Sequence, residues 1–205
     1  MLNQSVVSCT AFGGRKRIAS GSIRDVVLRS KEALDRNEQM ELLIFDDETS
    51  TLVEVDFRGT AAQVVQRIDR ITGGSETSDA PSDVKEGRRP GRPRLGVVAR
   101  EVTLLPRHWD WLAGQPGGAS VALRKLVEHG MKANRDRDCL RRAQEATYRF
   151  VSAMAGNEPG YEEAIRALFG GHEQRFHEIV EPWPADIRDH AKRLAAAAFG
   201  QRAPA

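Results

Sequence analysis

Residues 73–96 read GGSETSDAPSDVKEGRRPGRPRLG, and apart from prolines the only apolar side chains in this stretch are Ala80, Val84 and Leu95. Ordering a residue costs roughly 1–2 kcal/mol of backbone entropy, and a segment of this composition has almost nothing to bury in return. Folded structure must therefore lie on either side of it. We expect an α+β domain at 1–72, a basic, disordered Pro/Gly/Ser-rich linker at 73–95, and a domain of one strand plus helices at 96–200.

The first part alternates strand-like and helical patterns. SVVSCTAF and RKRIAS flank Gly13-Gly14, a dipeptide that supplies the positive φ of a tight hairpin turn. SIRDVVLRSKEALDRN then sets Ile23, Val26, Val27, Ser30, Ala33 and Leu34 at helical spacing, with Ser22 as N-cap. ELLIFDD and TLVEVDF pair as a second hairpin around DETS, and TAAQVVQRIDRI reads as a helix capped by Thr60 and closed by Gly73. The expected unit is ββαββα, a small α+β fold.

Beyond the linker, VAREVTLL at 98–105 is a single short strand, and Pro106 opens the helix PRHWDWLAG. A second helix begins near Ala119 and Ser120, after the Gly117-Gly118 break, and runs through VALRKLVEHGMK. RDRDCLRRAQEATYRFVSAMAG is a further helix, with Leu140, Ala143, Thr147, Phe150 and Met154 in register. YEEAIRALFG, HEQRFHEIV and PADIRDHAKRLAAAAFG complete a mainly helical carboxyl-terminal part, with Pro184 at the first turn of the last helix.

The chain carries 31 basic and 29 acidic residues, but they are segregated. Residues 85–142 hold 14 basic and 6 acidic, against 10 and 14 over 1–84 and 7 and 9 over 143–205. A +8 middle between ends of −4 and −2 is what a polyanion-binding segment needs, and equally what a solvated basic helix face shows.

Within that middle, RPGRP at 89–93 resembles the AT-hook. Gly91, Arg92, Pro93 and Arg94 fit its Gly-Arg-Pro heart, while Pro90 stands where a hook has arginine. A proline-restricted extended backbone lets arginines lie along a narrow A·T minor groove. The other reading is a basic tether without groove preference. VAREVTLLPRHWDWLAGQPGGASVALRKLVEHGMK in turn resembles a ribbon-helix-helix domain, in which two chains pair their strands into a ribbon for the major groove and second-helix amides grip phosphate. The strand at 98–105 puts Glu101 and Thr103 on one face and Arg100, Val102 and Leu104 on the other. It must pair either with its symmetry mate, giving a homodimer, or with another strand of the same chain. Over nearly the whole length, TAFGGRKRIASG, LLIFDDETSTLVEVDFRG, the central stretch and WPADIRDH resemble the bacterial family called domain of unknown function 2239. That resemblance implies a soluble bacterial protein and brings no activity with it.

Other chemistry is not supported by the pattern. His172 and His177 are five apart, about 140° around a helix, and do not share an ion. Asp46, Asp47 and Glu48 sit where a hairpin turn favours acidic side chains. GGRKRIASGS lacks phosphate-loop spacing, and no nucleophile elbow occurs. Cys9 and Cys139 are read as reduced structural thiols. With no run of about 18 apolar residues and no signal-peptide order at the start, the expectation is a cytoplasmic protein with no membrane role, metal or cofactor. The expected function is non-enzymatic DNA association, as in a transcriptional regulator. Arg88, Arg89, Arg92 and Arg94 follow the groove or backbone, with Arg100, Thr103, Ser120, Arg124 and Lys125 beside them. The alternative is a protein-interaction adaptor whose basic tether answers a protein partner not named by the sequence.

Overall fold

The computed structural model describes residues 8–73, 98 and 100–200, with side chains beyond Arg70 in the first stretch left aside. The expected linker, apart from Gly73, lies outside the described residues. The chain is α+β and divides into two compact units, Met1–Gly74 with Arg135–Ala205, and Ser75–Asn134.

The first unit begins with β1 (Ser8–Gly13) and β2 (Lys16–Ser22), an antiparallel hairpin with an irregular register between Ala11 and Phe12. Gly13 is itself paired with Lys16, so the turn residues are Gly14 and Arg15 rather than Gly13-Gly14. Gly14 takes the positive φ, +57°, while a Cβ at Gly13 would meet the side chains of Met40 and Ile18, which would have to shift.

Helix α1 (Ile23–Arg36) follows, with Ser22 Oγ accepting the Asp25 amide at 3.2 Å and Ile23, Val26, Val27 and Ser30 buried, as the spacing predicts. β3 (Leu42–Asp46) then returns to pair with β1, giving the order β2-β1-β3. The second hairpin does not form in full. After the Asp46–Ser50 turn, the chain makes one bridge, Phe45 to Leu52, and then leaves the ladder. Val53, Val55 and Phe57 still alternate onto the core, which is the period-2 signal in the sequence, but the backbone peels away toward Asp56 and Arg58. There, the Arg67 guanidinium donates to both carbonyls. The expected ββαββα is therefore corrected to ββαβα, closed by α2 (Ala61–Gly73).

Both faces of the three-stranded sheet are covered. Cys9, Ala11, Ala19 and Ile44 pack with Val26 and Val27 of α1 and Val64 and Ile68 of α2. On the opposite face, Phe12 and Phe45 join the core of the carboxyl-terminal helices. These are the end of α4 (Gly118–Ala155), α5 (Tyr161–Gly170), α6 (Glu173–Val180) and α7 (Ala185–Phe199). Phe150 lies 5.3 Å from the Phe12 ring and 5.2 Å from that of Phe45, at the tilted and edge-on angles aromatic pairs favour. Arg149 Nη1 to Thr49 O, Arg193 to Asp47 and the Arg17 amide to Asp186 tie the same layers. The first unit thus joins residues from both sides of the expected linker.

The second unit contains α3 (Pro106–Ala113), opened by Pro106 as expected, and the first part of α4. Two helices expected on either side of residue 133 are one 38-residue helix. No proline interrupts it, and Gly130, whose carbonyl accepts from Asn134 Nδ2 at 2.9 Å, costs about 1 kcal/mol at most, too little to break it.

Candidate functional site

Arg88, Arg89, Arg92 and Arg94 lie outside the described residues. Arg100 and Thr103 are exposed on the extended segment before α3, whose last residue, Leu105, has φ −67° and ψ 150°. Residues 98 and 100–105 form no strand among the described residues, so of the two pairings expected for 98–105 the one within the chain is not seen there. Ser120, Arg124 and Lys125 are exposed on the first turns of α4, where Arg124 Nε donates to Ser120 O at 3.0 Å. Among the described residues, none of Arg100, Arg107, Arg124, Lys125 and Lys132 forms an ion pair. Most of the basic side chains in the helices of the first unit do. A groove of about 290 Å³ lies beside this cationic set, walled by Leu104, His108, Trp111, Leu112, Leu123 and Leu126.

The first unit has its own cleft, of about 410 Å³, where the Asp46–Ser50 turn meets α4 and α7. Asp47, Glu48, Arg142 and Arg193 line it above Ala143, Ala146 and Ala197, with Cys139 at one side. Asp46 is consumed by its turn, its Oδ1 accepting from the Glu48 and Thr49 amides and Thr49 Oγ1. Asp47 accepts from Ser8 Oγ and Thr10 Oγ1 at 2.6 Å each and from Arg193 Nη2 at 3.2 Å. Burial opposes its ionisation, but these three donors outweigh that and hold the carboxyl below its ordinary range.

Beneath Arg193 sits His190, 1% exposed, its ring 4.4 Å from Phe150 and edge-on to Phe12. Burial, and then the Arg193 charge, push its pKa down to about 4, with Asp47 pulling the other way. A guanidinium only donates, so its 3.2 Å approach to Nδ1 fits a neutral ring.

The family model of bacterial proteins described as uncharacterised and conserved in bacteria, DUF2239, matches residues 8–195. The chain belongs to this family. In this DUF2239 protein the matched span runs from the first residue of β1 into α7 and so takes in both units. No curated protein and no solved structure matches the chain significantly. No helix among the described residues is long and apolar enough to cross a membrane, and no group of three or more His, Cys, Asp or Glu there could hold a metal. His172 precedes α6 and His177 lies on it. The residues that sequence reasoning missed are Arg193 and His190. They stand more than 140 positions from Asp47, and no local pattern marks them.

Proposed function

We propose that this DUF2239 protein is a non-enzymatic DNA-binding protein, with a role in transcription regulation. The observation that carries the reading is the state of the cations in the second unit. Arg100, Arg124 and Lys125 stand exposed with no carboxylate partner among the described residues, directly after the four-arginine stretch 88–94. Exposed, unpaired cations release condensed counterions when they meet phosphate, and that supplies most of the sequence-independent affinity for DNA. Arg88, Arg89, Arg92 and Arg94 would follow the backbone or the minor groove, and Thr103 and Ser120 would hydrogen-bond phosphate or base edges. Pairing of 98–105 with the same segment of a second copy would satisfy backbone groups that find no ladder among the described residues.

Titration of the purified protein against random and A·T-rich duplexes across a salt series tests this. About four to six phosphate contacts give a slope of log affinity on log salt near −4 to −5. Absence of binding at low salt ends the reading. In a second arm, Arg92→Lys with Arg94→Lys keeps the charge. Loss of A·T preference in that variant marks groove insertion, and unchanged binding marks a charge-only tether.

A further inference from the structure

We propose that the groove between α3 and the first turns of α4 is a self-association surface, covered in solution by a second copy of this chain. The inference extends the pairing of 98–105 proposed above, adds the groove walls on α3 and α4 to it, and does not need DNA.

The second unit is short of core. Among its described residues, Leu112 and Ala122 are the buried apolar side chains. Two buried apolar side chains are a small core for a unit of this size. The missing core is present but open: Trp111 is 53% exposed, Leu126 50%, Val102 53% and Met131 68%, with Trp109 and Val127 also exposed. Scattered apolar residues on a surface need no explanation, whereas apolar walls joined around a groove do.

Two observations favour a second copy over a foreign partner. The first is charge. Arg107 and Arg124 on the unit are unpaired within the described residues, and so are Asp110 and Glu128. A partner of one sign would satisfy only half of this set. A two-fold copy presents both signs to both, as a self-complementary patch requires. The second is the extended segment beside the groove. Residues 101–105 carry Leu104 into the groove wall while their backbone forms no ladder among the described residues, so one symmetric contact would cover the apolar wall and pair the open backbone together.

Sedimentation velocity of the full chain without DNA, from low to high micromolar concentration, reads the outcome. The wild type is expected at twice the monomer mass. Leu126→Glu and Trp111→Glu place a charge in the groove at positions already half open in the single chain, so both are expected to keep their helical circular dichroism. Each is expected to weaken association about ten-fold or more, the effect of leaving a buried charge unpaired. Val102→Pro perturbs the extended segment alone. A monomeric wild type at the highest concentration overturns the proposal. So does a dimer that Val102→Pro dissociates but neither groove variant does, which would leave only the ribbon. A dimer lost in the groove variants and retained in Val102→Pro upholds the groove and removes the ribbon. Failure to bind DNA in the salt series bears on neither result.

Discussion

A buried imidazole beside a guanidinium makes His190 the residue whose titration the fold resists most plainly. Its pKa falls from 6.5 in the unfolded chain to about 4 when folded, burial being the larger cause. Between those values the unfolded chain binds the proton and the folded one does not, so stability is intact above pH 6.5 and declines as pH falls toward 4. The depression corresponds to about 3 kcal/mol. Asp47 adds its own loss at lower pH, because its folded pKa lies below 3.8 and its contribution fades only as pH drops beneath that value. Urea unfolding at stepped pH should show this two-stage decline. His190→Gln, which removes the upper titration, should flatten the curve between pH 6.5 and 4. An unchanged slope in that variant would mean that His190 is not the group responsible.

At the scale of elements, the local chemistry of helix starts proves legible. Thr60 was expected to cap α2, and the structure completes the motif with Gln63. The Thr60 amide donates to Gln63 Oε1 at 2.9 Å while Thr60 Oγ1 accepts from the Gln63 amide at 3.4 Å. Thr60→Ala should therefore cost about 1 kcal/mol in a urea midpoint, and Thr60→Ser should restore most of it. Ser22, Pro106 and the apolar face of α1 were equally readable, because each depends on neighbours within four residues. What failed was pairing between distant elements. TLVEVDF alternates correctly, yet its backbone makes one bridge and then gives the carbonyls of 56 and 58 to the Arg67 guanidinium, a partner that the alternation does not mark. VAREVTLL has strand composition but no partner strand among the described residues, and a pattern of side chains does not record that. The exposed residues Arg100, Thr103, Ser120, Arg124 and Lys125 were readable as cations and hydroxyls on a surface. The Asp47–Arg193 contact was not, because it closes over 146 positions.

The whole molecule turns on whether the chain on each side of the linker folds for itself. An apolar-poor segment suggests that the chain on each side folds for itself, yet LLIF in β3 is an unbroken apolar run, and such a run belongs to a strand covered on both faces. Two amphipathic helices, α1 and α2, cover one face. The cover for the other is supplied by α4 and α7, beyond the linker, through the contact of Phe12 and Phe45 with Phe150. If the sheet and the carboxyl-terminal helices share one cooperative core, a cavity at Phe150 must weaken both. Phe150→Ala, with Phe150 fully buried, should cost about 3–5 kcal/mol, a large part of the 5–15 kcal/mol typical of a domain. In native-state hydrogen exchange of the full chain, the most protected amides of β1 and of α7 should lose protection together and by the same free energy, since both are released only when the shared core opens. Amides of β1 that keep their protection while α7 loses its own would show that the amino-terminal sheet unfolds as a separate unit, and that Phe12 and Phe45 rest against the helices without depending on them.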